Sequence, residues 1–510
     1  MPRNFRRIAG ITALTSLFCG TALAQDGSLS VIAKPVRSGA PEVQYITVDE
    51  RIGLTAGSTA LDLCIPIVYA GRKGIADRVQ DLAVRDAAGA VPMRMEDDTA
   101  NPGGFPFYRH WRAERAVSGP VTVTYRMMSF TGTVTPGPQF DFYSHDGGVS
   151  TGGMALFVLP QNMPDAALAV HWDLRDLPKG AVVASTYGAG DIALRGSPER
   201  LAQAYYEAGP LGHYEPSPDS VFRAYWLGKP AFDPTKEMVW AAKAYTAMRG
   251  FWRSPADTGY TAFIRAIPNT GGGTGIENSF MAGVAPGNEN PGKPGPRMVL
   301  FHEMGHRFVG QLAGGPGDVP LVGGTWFAEG LNVHYTRLLM LRFDLWPVDD
   351  YVEDVDHSVS AFYSNPYRLA SAEELSRIGF SAGVGGASAQ NVAYTRGSLF
   401  FADLDARIRA ASVGKRTLDD VILPFLARRQ AGEAVTQKDL VDAFVAEIGP
   451  QARERFEAVI VRGENVDPAP DAFGPCLERK PKVYDAGGQA VNGYEWVRKP
   501  GLPDAQCRAW

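Results

Sequence analysis

Hydrophobic positions change period part-way along the chain. Up to about residue 228 they alternate with polar ones, most clearly in Val121-Thr122-Val123-Thr124-Tyr125. Similar runs occupy 43–48, 59–69, 121–130, 153–159 and 166–172, with Gly/Pro clusters between them, and each predicts a strand. Near Asp233 the repeat lengthens. Asp233 as N-cap, Pro234 at the first helical position and Gly250 after the last turn frame a helix. A strand over 260–267, a loop-rich stretch over 268–296 and a helix over 297–312 follow. Beyond Thr325 helical periods prevail, over 326–341, 398–411, 417–429, 436–448 and 451–461. Thr436 with Asp439 resembles a capping box, and Gly449 a C-cap. The expected architecture is multidomain: an N-terminal β-rich domain over 25–228, an α+β domain over 229–470 whose helical lobe starts near 325, and a tail over 471–510.

Composition narrows the choice of partners. The 510 residues hold 50 Lys+Arg against 55 Asp+Glu, for a net charge of −5, with 45% hydrophobic and 21% charged residues. Such a chain is globular and long enough for several cores. No basic stripe is present, which argues against nucleic acid as a partner. Residues 1–24 read as a secretory signal: Arg3, Arg6 and Arg7 precede an apolar stretch over 8–18, and Ala22-Leu23-Ala24 is a cleavage site. Arg6-Arg7 and Cys19 are poor matches to twin-arginine and lipidation signals. No later stretch has the 18 or so continuous apolar residues of a membrane span, so the expectation is a secreted or periplasmic protein without stable membrane insertion. In that compartment disulfides persist. Cys476 and Cys507 bracket a Gly/Pro-rich tail with little regular period and are the expected pair, while Cys64 reads as a small buried hydrophobe within Leu61-Asp62-Leu63-Cys64-Ile65.

The chemistry concentrates in His302-Glu303-Met304-Gly305-His306, inside the helical run that starts at 297. A spacing of four puts both imidazoles on one helix face, where two neutral ring nitrogens can bind one Zn2+. Glu303, one position along, is aimed beside the metal and is the candidate general base. A catalytic zinc site needs a third protein ligand and one open position. Glu329 fits, because its surroundings in Thr325-Trp326-Phe327-Ala328-Glu329-Gly330-Leu331-Asn332 are mostly apolar, and a bare carboxylate there calls for a cation. Cobalt or manganese can occupy the same nitrogen and oxygen ligands, with zinc the default. The acidic stretch Asp349, Asp350, Glu353, Asp354, Asp356 and His357 lacks a calcium-loop pattern and reads as a solvated helix face. His334 reads as structural or as a support behind the metal ligands.

At these residues the sequence resembles the zinc peptidases whose third ligand is a glutamate, in particular the glycyl aminopeptidase family and its relatives, the alanyl/leucyl aminopeptidases. His302-Glu303-x-x-His306 continues as Arg307-Phe308-Val309-Gly310-Gln311-Leu312, similar to the relatives' metal helix, and Trp326-Phe327-Ala328-Glu329-Gly330 is similar to their ligand helix. Gly271-Gly272-Gly273-Thr274-Gly275-Ile276-Glu277-Asn278 resembles the glycine-rich segment of both groups, and Ala393-Tyr394-Thr395-Arg396-Gly397 their Tyr-x-Lys-Gly segment with Arg for Lys. The resemblance implies a thermolysin-like catalytic domain acting on peptide or protein substrates. It implies that Gly275 to Asn278 line the cleft, their glycines letting an extended peptide approach, that Glu277 holds the substrate's free α-ammonium, and that Tyr394 donates to the oxyanion. The departures are a longer interval between His306 and Glu329, with Gly314-Gly315-Pro316-Gly317 as an extra loop, Asn278 in place of a His, and no PDZ-like module after 470. The reading is a zinc aminopeptidase; the rivals are an endopeptidase with the same centre and a catalytically silent, zinc-stabilised peptide-binding scaffold.

Overall fold

The computed structural model describes residues 27–54, 59–100, 107–161, 163–217, 220–254, 259–276, 278–287, 296–313, 321–379 and 386–510. The signal-like segment 1–24, the loop at Gly314 to Gly317 and Glu277 lie outside them.

Alternation builds the first part. Val121–Met128 turns Val121, Val123, Tyr125 and Met127 into the core and its threonines outward. It pairs with Tyr45–Gly53, and beyond that strand Ser28–Val36 and Ala166–Trp172 continue one seven-stranded sheet. A second sheet is centred on Asp62–Tyr69 and Phe107–Ala113, and a third holds Gly148–Gly152, Tyr205–Gly209 and Val182–Ser185. The strand expected over 153–159 does not form. Gly153–Ala155 is a 3-10 turn, and only Leu159 and Pro160 pair. Residues 153–158 are buried throughout, so the run lacks the two-faced environment of a half-exposed strand. A Cβ at Gly153 would lie 1.9 Å from the carbonyl oxygen of Leu201, a close approach that only glycine permits.

The second part opens with the helix Pro234–Phe251, capped by the Asp233 carboxylate on the backbone N–H of Lys236. Its sheet runs Gly212–Tyr214, Phe222–Leu227, Tyr260–Ala266, Ser279–Val284, Gly273–Ile276, parallel through the three central strands and antiparallel at the glycine-rich edge. Two of these strands lie in the stretch expected to be loop, because glycine and small residues disguise a strand whose pairing is supplied by its neighbours. The histidine helix, Arg297–Val309, stops three residues earlier than expected, where Gly310 takes φ +57 and the Arg429 guanidinium occupies the space a side chain would need.

Three further helices carry the lobe's architecture. The Glu329 helix is Leu321–Arg342, the acidic helix is Val348–Tyr363, and the Tyr394 helix is Gly386–Ala411, three turns longer at its start than expected. The acidic helix leaves Glu353 and His357 exposed, but Asp354 pairs with the buried Arg337 at 2.8 Å. His334 is buried and held neutral, its pKa pushed down to about 3 by burial and by Arg337 and Arg342. The tail, in which little period is visible, carries a hairpin of Leu477–Asp485 and Ala490–Arg498 packed on the acidic helix. Cys476 and Cys507 form a disulfide, and both belong to the same apolar core as the helical lobe.

Candidate metal centre

His302 and His306, one turn apart, present rings with centroids 4.7 Å apart and nearly perpendicular planes. The other side of their helix is anchored by Leu300, Phe301, Met304 and Phe308 in the apolar core. The Glu329 helix crosses in front, placing Glu329 Oε2 3.1 Å from His302 Nε2 and 3.3 Å from His306 Nε2. Among the described residues this is the one group of three or more His, Cys, Asp or Glu with metal-ligand spacing. Donors at about 2.0–2.1 Å from a tetrahedral zinc lie roughly 3.3–3.4 Å from one another, so these separations fit that ion. The three side chains keep 15–21% exposure, which leaves the centre open to solvent on one side. The charges answer one another. Burial opposes ionisation of His306, but Glu329 overrides it and lifts its pKa to about 9. Burial likewise works against the Glu329 carboxylate, and the two imidazoles hold it far below the usual range.

Glu303 projects from the histidine helix towards the glycine edge strand. Burial raises its pKa, with His306 and His302 working the other way. Its carboxylate accepts from the backbone N–H of Gly275. A Cβ at Gly273 would sit 2.5 Å from Glu303 Cγ and Oε1, and one at Gly275 3.3 Å from His306 Cβ. The room these glycines leave is therefore filled by the chain's own helix. The strand is held from behind by the N-terminal part: the Tyr205 hydroxyl donates to the Thr274 carbonyl at 3.1 Å, the Gln139 backbone N–H to Thr274 Oγ1 at 2.9 Å, and the Gly137 N–H to the Gly271 carbonyl at 3.0 Å. Asn278 receives the backbone N–H of Thr261 on its carbonyl, and its Oδ1 is buried without a partner. Glu277 falls outside the described residues.

Tyr394 reaches the centre from the third helix. Its hydroxyl donates to the Glu329 carboxylate, and its ring lies 6.1 Å from that of His302. Burial first, then the nearby Glu329 and Glu303, keep the phenol protonated. Two glycines set its distance. A Cβ at Gly330 would lie 2.5 Å from Gly397 Cα, and one at Gly397 2.4 Å from the Trp326 carbonyl oxygen, so the Glu329 and Tyr394 helices touch backbone to backbone. Sequence reasoning did not find Gln139 or Tyr205, which are more than sixty residues from the strand they hold and carry no local signal.

No protein-family model matches the sequence, and no curated protein is similar enough to match it. Solved structures do match. An aminopeptidase N family protein from Idiomarina loihiensis superposes with a TM-score of 0.70 at 14% identity, over 89% of this chain and 79% of that one. A mutant M1 zinc metallopeptidase from Deinococcus radiodurans, bound to a Tyr-Ser-Ala substrate, gives 0.51 at 18% identity, over 88% and 98%. The chain has the M1 zinc aminopeptidase fold. Native yeast LTA4 hydrolase shares that fold as well, with a TM-score of 0.51 at 12% identity, over 87% of this chain and 69% of that one. The M1 fold accounts for the order of parts seen here, a β-rich region followed by a mixed and then a helical one, and it agrees with the expected fold class.

Proposed function

We propose that the chain is a zinc aminopeptidase that hydrolyses the first peptide bond of substrates with a free N-terminus. The observation that carries this reading is the convergence of His302, His306 and Glu329, with Glu303 and the Tyr394 hydroxyl beside them. A zinc ion held by the three ligands would polarise the scissile carbonyl and acidify a water. Glu303 is the group that takes the proton from the attacking water and returns it to the leaving amine. The Tyr394 hydroxyl, neutral and beside the ligand set, donates to the oxyanion as negative charge develops on the carbonyl oxygen. Glu277, one residue past the edge strand in sequence, is assigned the substrate's α-ammonium, and the fold shared with an aminopeptidase N family protein supports exo action.

Residues 1–24 support export, with cleavage after Ala24, and the Cys476–Cys507 bridge suits an oxidising compartment. The test of function is a peptide panel with free and acetylated N-termini, assayed with and without a chelator. Release of the first residue from free peptides only, abolished by chelation and restored by zinc, is the expected result. Glu303→Gln should retain zinc and fold while losing nearly all turnover. Blocked peptides cut as fast as free ones would establish the endopeptidase instead, and undiminished behaviour of Glu303→Gln would leave a scaffold.

A further inference from the structure

We infer that Asn332, working as a pair with Gly305, is a positioning residue that fixes the zinc ligands relative to each other. The inference rests on the zinc reading above. Asn332 lies three residues after Glu329, on the same side of its helix, and is 2% exposed. Its Nδ2 donates to the backbone carbonyl oxygen of His302 at 2.7 Å. That carbonyl belongs to a helix and has a second lone pair beyond its intrahelical bond, which the amide takes up. One side chain thus joins the backbone of the first ligand to the helix face that carries the third.

The amide can reach His302 only because residue 305 has no side chain. A Cβ there would lie 1.9 Å from Asn332 Oδ1, 2.9 Å from its Cγ and 3.2 Å from its Nδ2. Gly305 sits inside a helix and is absent from the positive-φ positions, so conformational freedom does not explain it. Glycine weakens a helix interior, and what this one provides in return is room. The two helices meet at the level of the ligands themselves: Gly305 immediately precedes His306, and Asn332 closes the turn after Glu329. Donor atoms must be held within about 0.5 Å for a metal site to bind well, and groups behind the ligands typically change metal affinity 10–100-fold.

The experiment is a zinc titration of the full-length chain against a competing chelator, with thermal unfolding of the zinc-free protein alongside. Asn332→Ala should weaken zinc binding roughly 10–100-fold. Gly305→Ala, whose methyl displaces the amide, should weaken it by at least about tenfold by the same loss of support. In the Asn332→Ala background the same Gly305→Ala change should add nothing, because its methyl enters vacated space. A residue that only stabilises the fold would lower the zinc-free unfolding temperature and leave zinc affinity alone. Asn332→Ala binding zinc within twofold of the parent would overturn the inference, as would a Gly305→Ala loss equal in both backgrounds. Should Asn332→Ala not fold, Gly305→Ala decides, and parental affinity in that variant overturns the pairing. A parent chain that binds no zinc would instead overturn the functional reading on which this one stands.

Discussion

Alanine at Gly330 should destabilise the protein, although on propensity alone it should do the opposite. Gly→Ala in a helix interior is worth up to about 1 kcal/mol in favour of alanine. Here the added Cβ would lie 2.5 Å from Gly397 Cα, 2.7 Å from Gly397 C and 3.0 Å from Ser398 N, all backbone atoms that no rotamer change can move. Relief to an ordinary contact of about 3.5–4.0 Å separates the Glu329 and Tyr394 helices by roughly 1 Å. Overpacking of this kind costs about 1–3 kcal/mol, which outweighs the propensity gain. The same displacement carries the Tyr394 hydroxyl away from Glu329, and a misplacement of 1 Å can lower turnover about 10²-fold. Denaturant unfolding should therefore give a lower midpoint at unchanged slope, and kcat should fall with substrate affinity little altered. A Gly330→Ala protein more stable than the parent, or equally active, would refute a backbone-to-backbone crossing at this point.

Tyr394→Phe keeps the ring and removes the donor, so kcat should drop about 10²–10³-fold while the circular dichroism spectrum stays the same. Glu50 titrates in the opposite sense from most carboxylates: burial lifts its pKa from 4.5 to about 8, against a hydrogen bond from Tyr125. The folded chain then holds a proton that the unfolded chain releases, so stability falls between about pH 4.5 and 8, at about 1.4 kcal/mol per pH unit from this group at most. Glu50→Gln should flatten that slope in denaturant titrations run at several pH values; an identical slope would refute it. Replacing Cys476 and Cys507 by serine opens a closure of 31 residues and should lower stability by about 3–4 kcal/mol, read as a lower unfolding midpoint. Unchanged unfolding would show that the hairpin holds itself in place.

The legible parts of this molecule are those in which neighbours in sequence do the work. His302, Glu303 and His306 share one helix turn, and Glu329 declares itself as an acid in an apolar run, so four residues of the centre can be read from two short segments. Ala166–Trp172 and the capping box at Thr436 and Asp439 follow from local period and local hydrogen bonding. The illegible parts depend on partners far along the chain. The run 153–158 is buried from all directions, which alternation cannot express. Gly273–Ile276 is a strand because Ser279–Val284 pairs with it, and its glycines answer to the bulk of Glu303 and His306. The early turns of the Tyr394 helix mix alanines with Gly386, Ser388, Asn391 and Gly397, which interrupt a clear helical apolar period. Asn332 was visible only as a letter in the Glu329 segment, since the space it fills is defined by a glycine on another helix.

The wall behind the glycine edge strand comes from the β-rich part of the chain, through Gly137, Gln139 and Tyr205. A fragment starting near residue 220 would inherit every ligand, the base and the tyrosine, yet it would lack the brace against which Gly275 presents its N–H to Glu303. The two halves are for that reason a single working unit: trimming the β-rich half to obtain a shorter chain would remove part of the frame around the candidate centre along with the bulk.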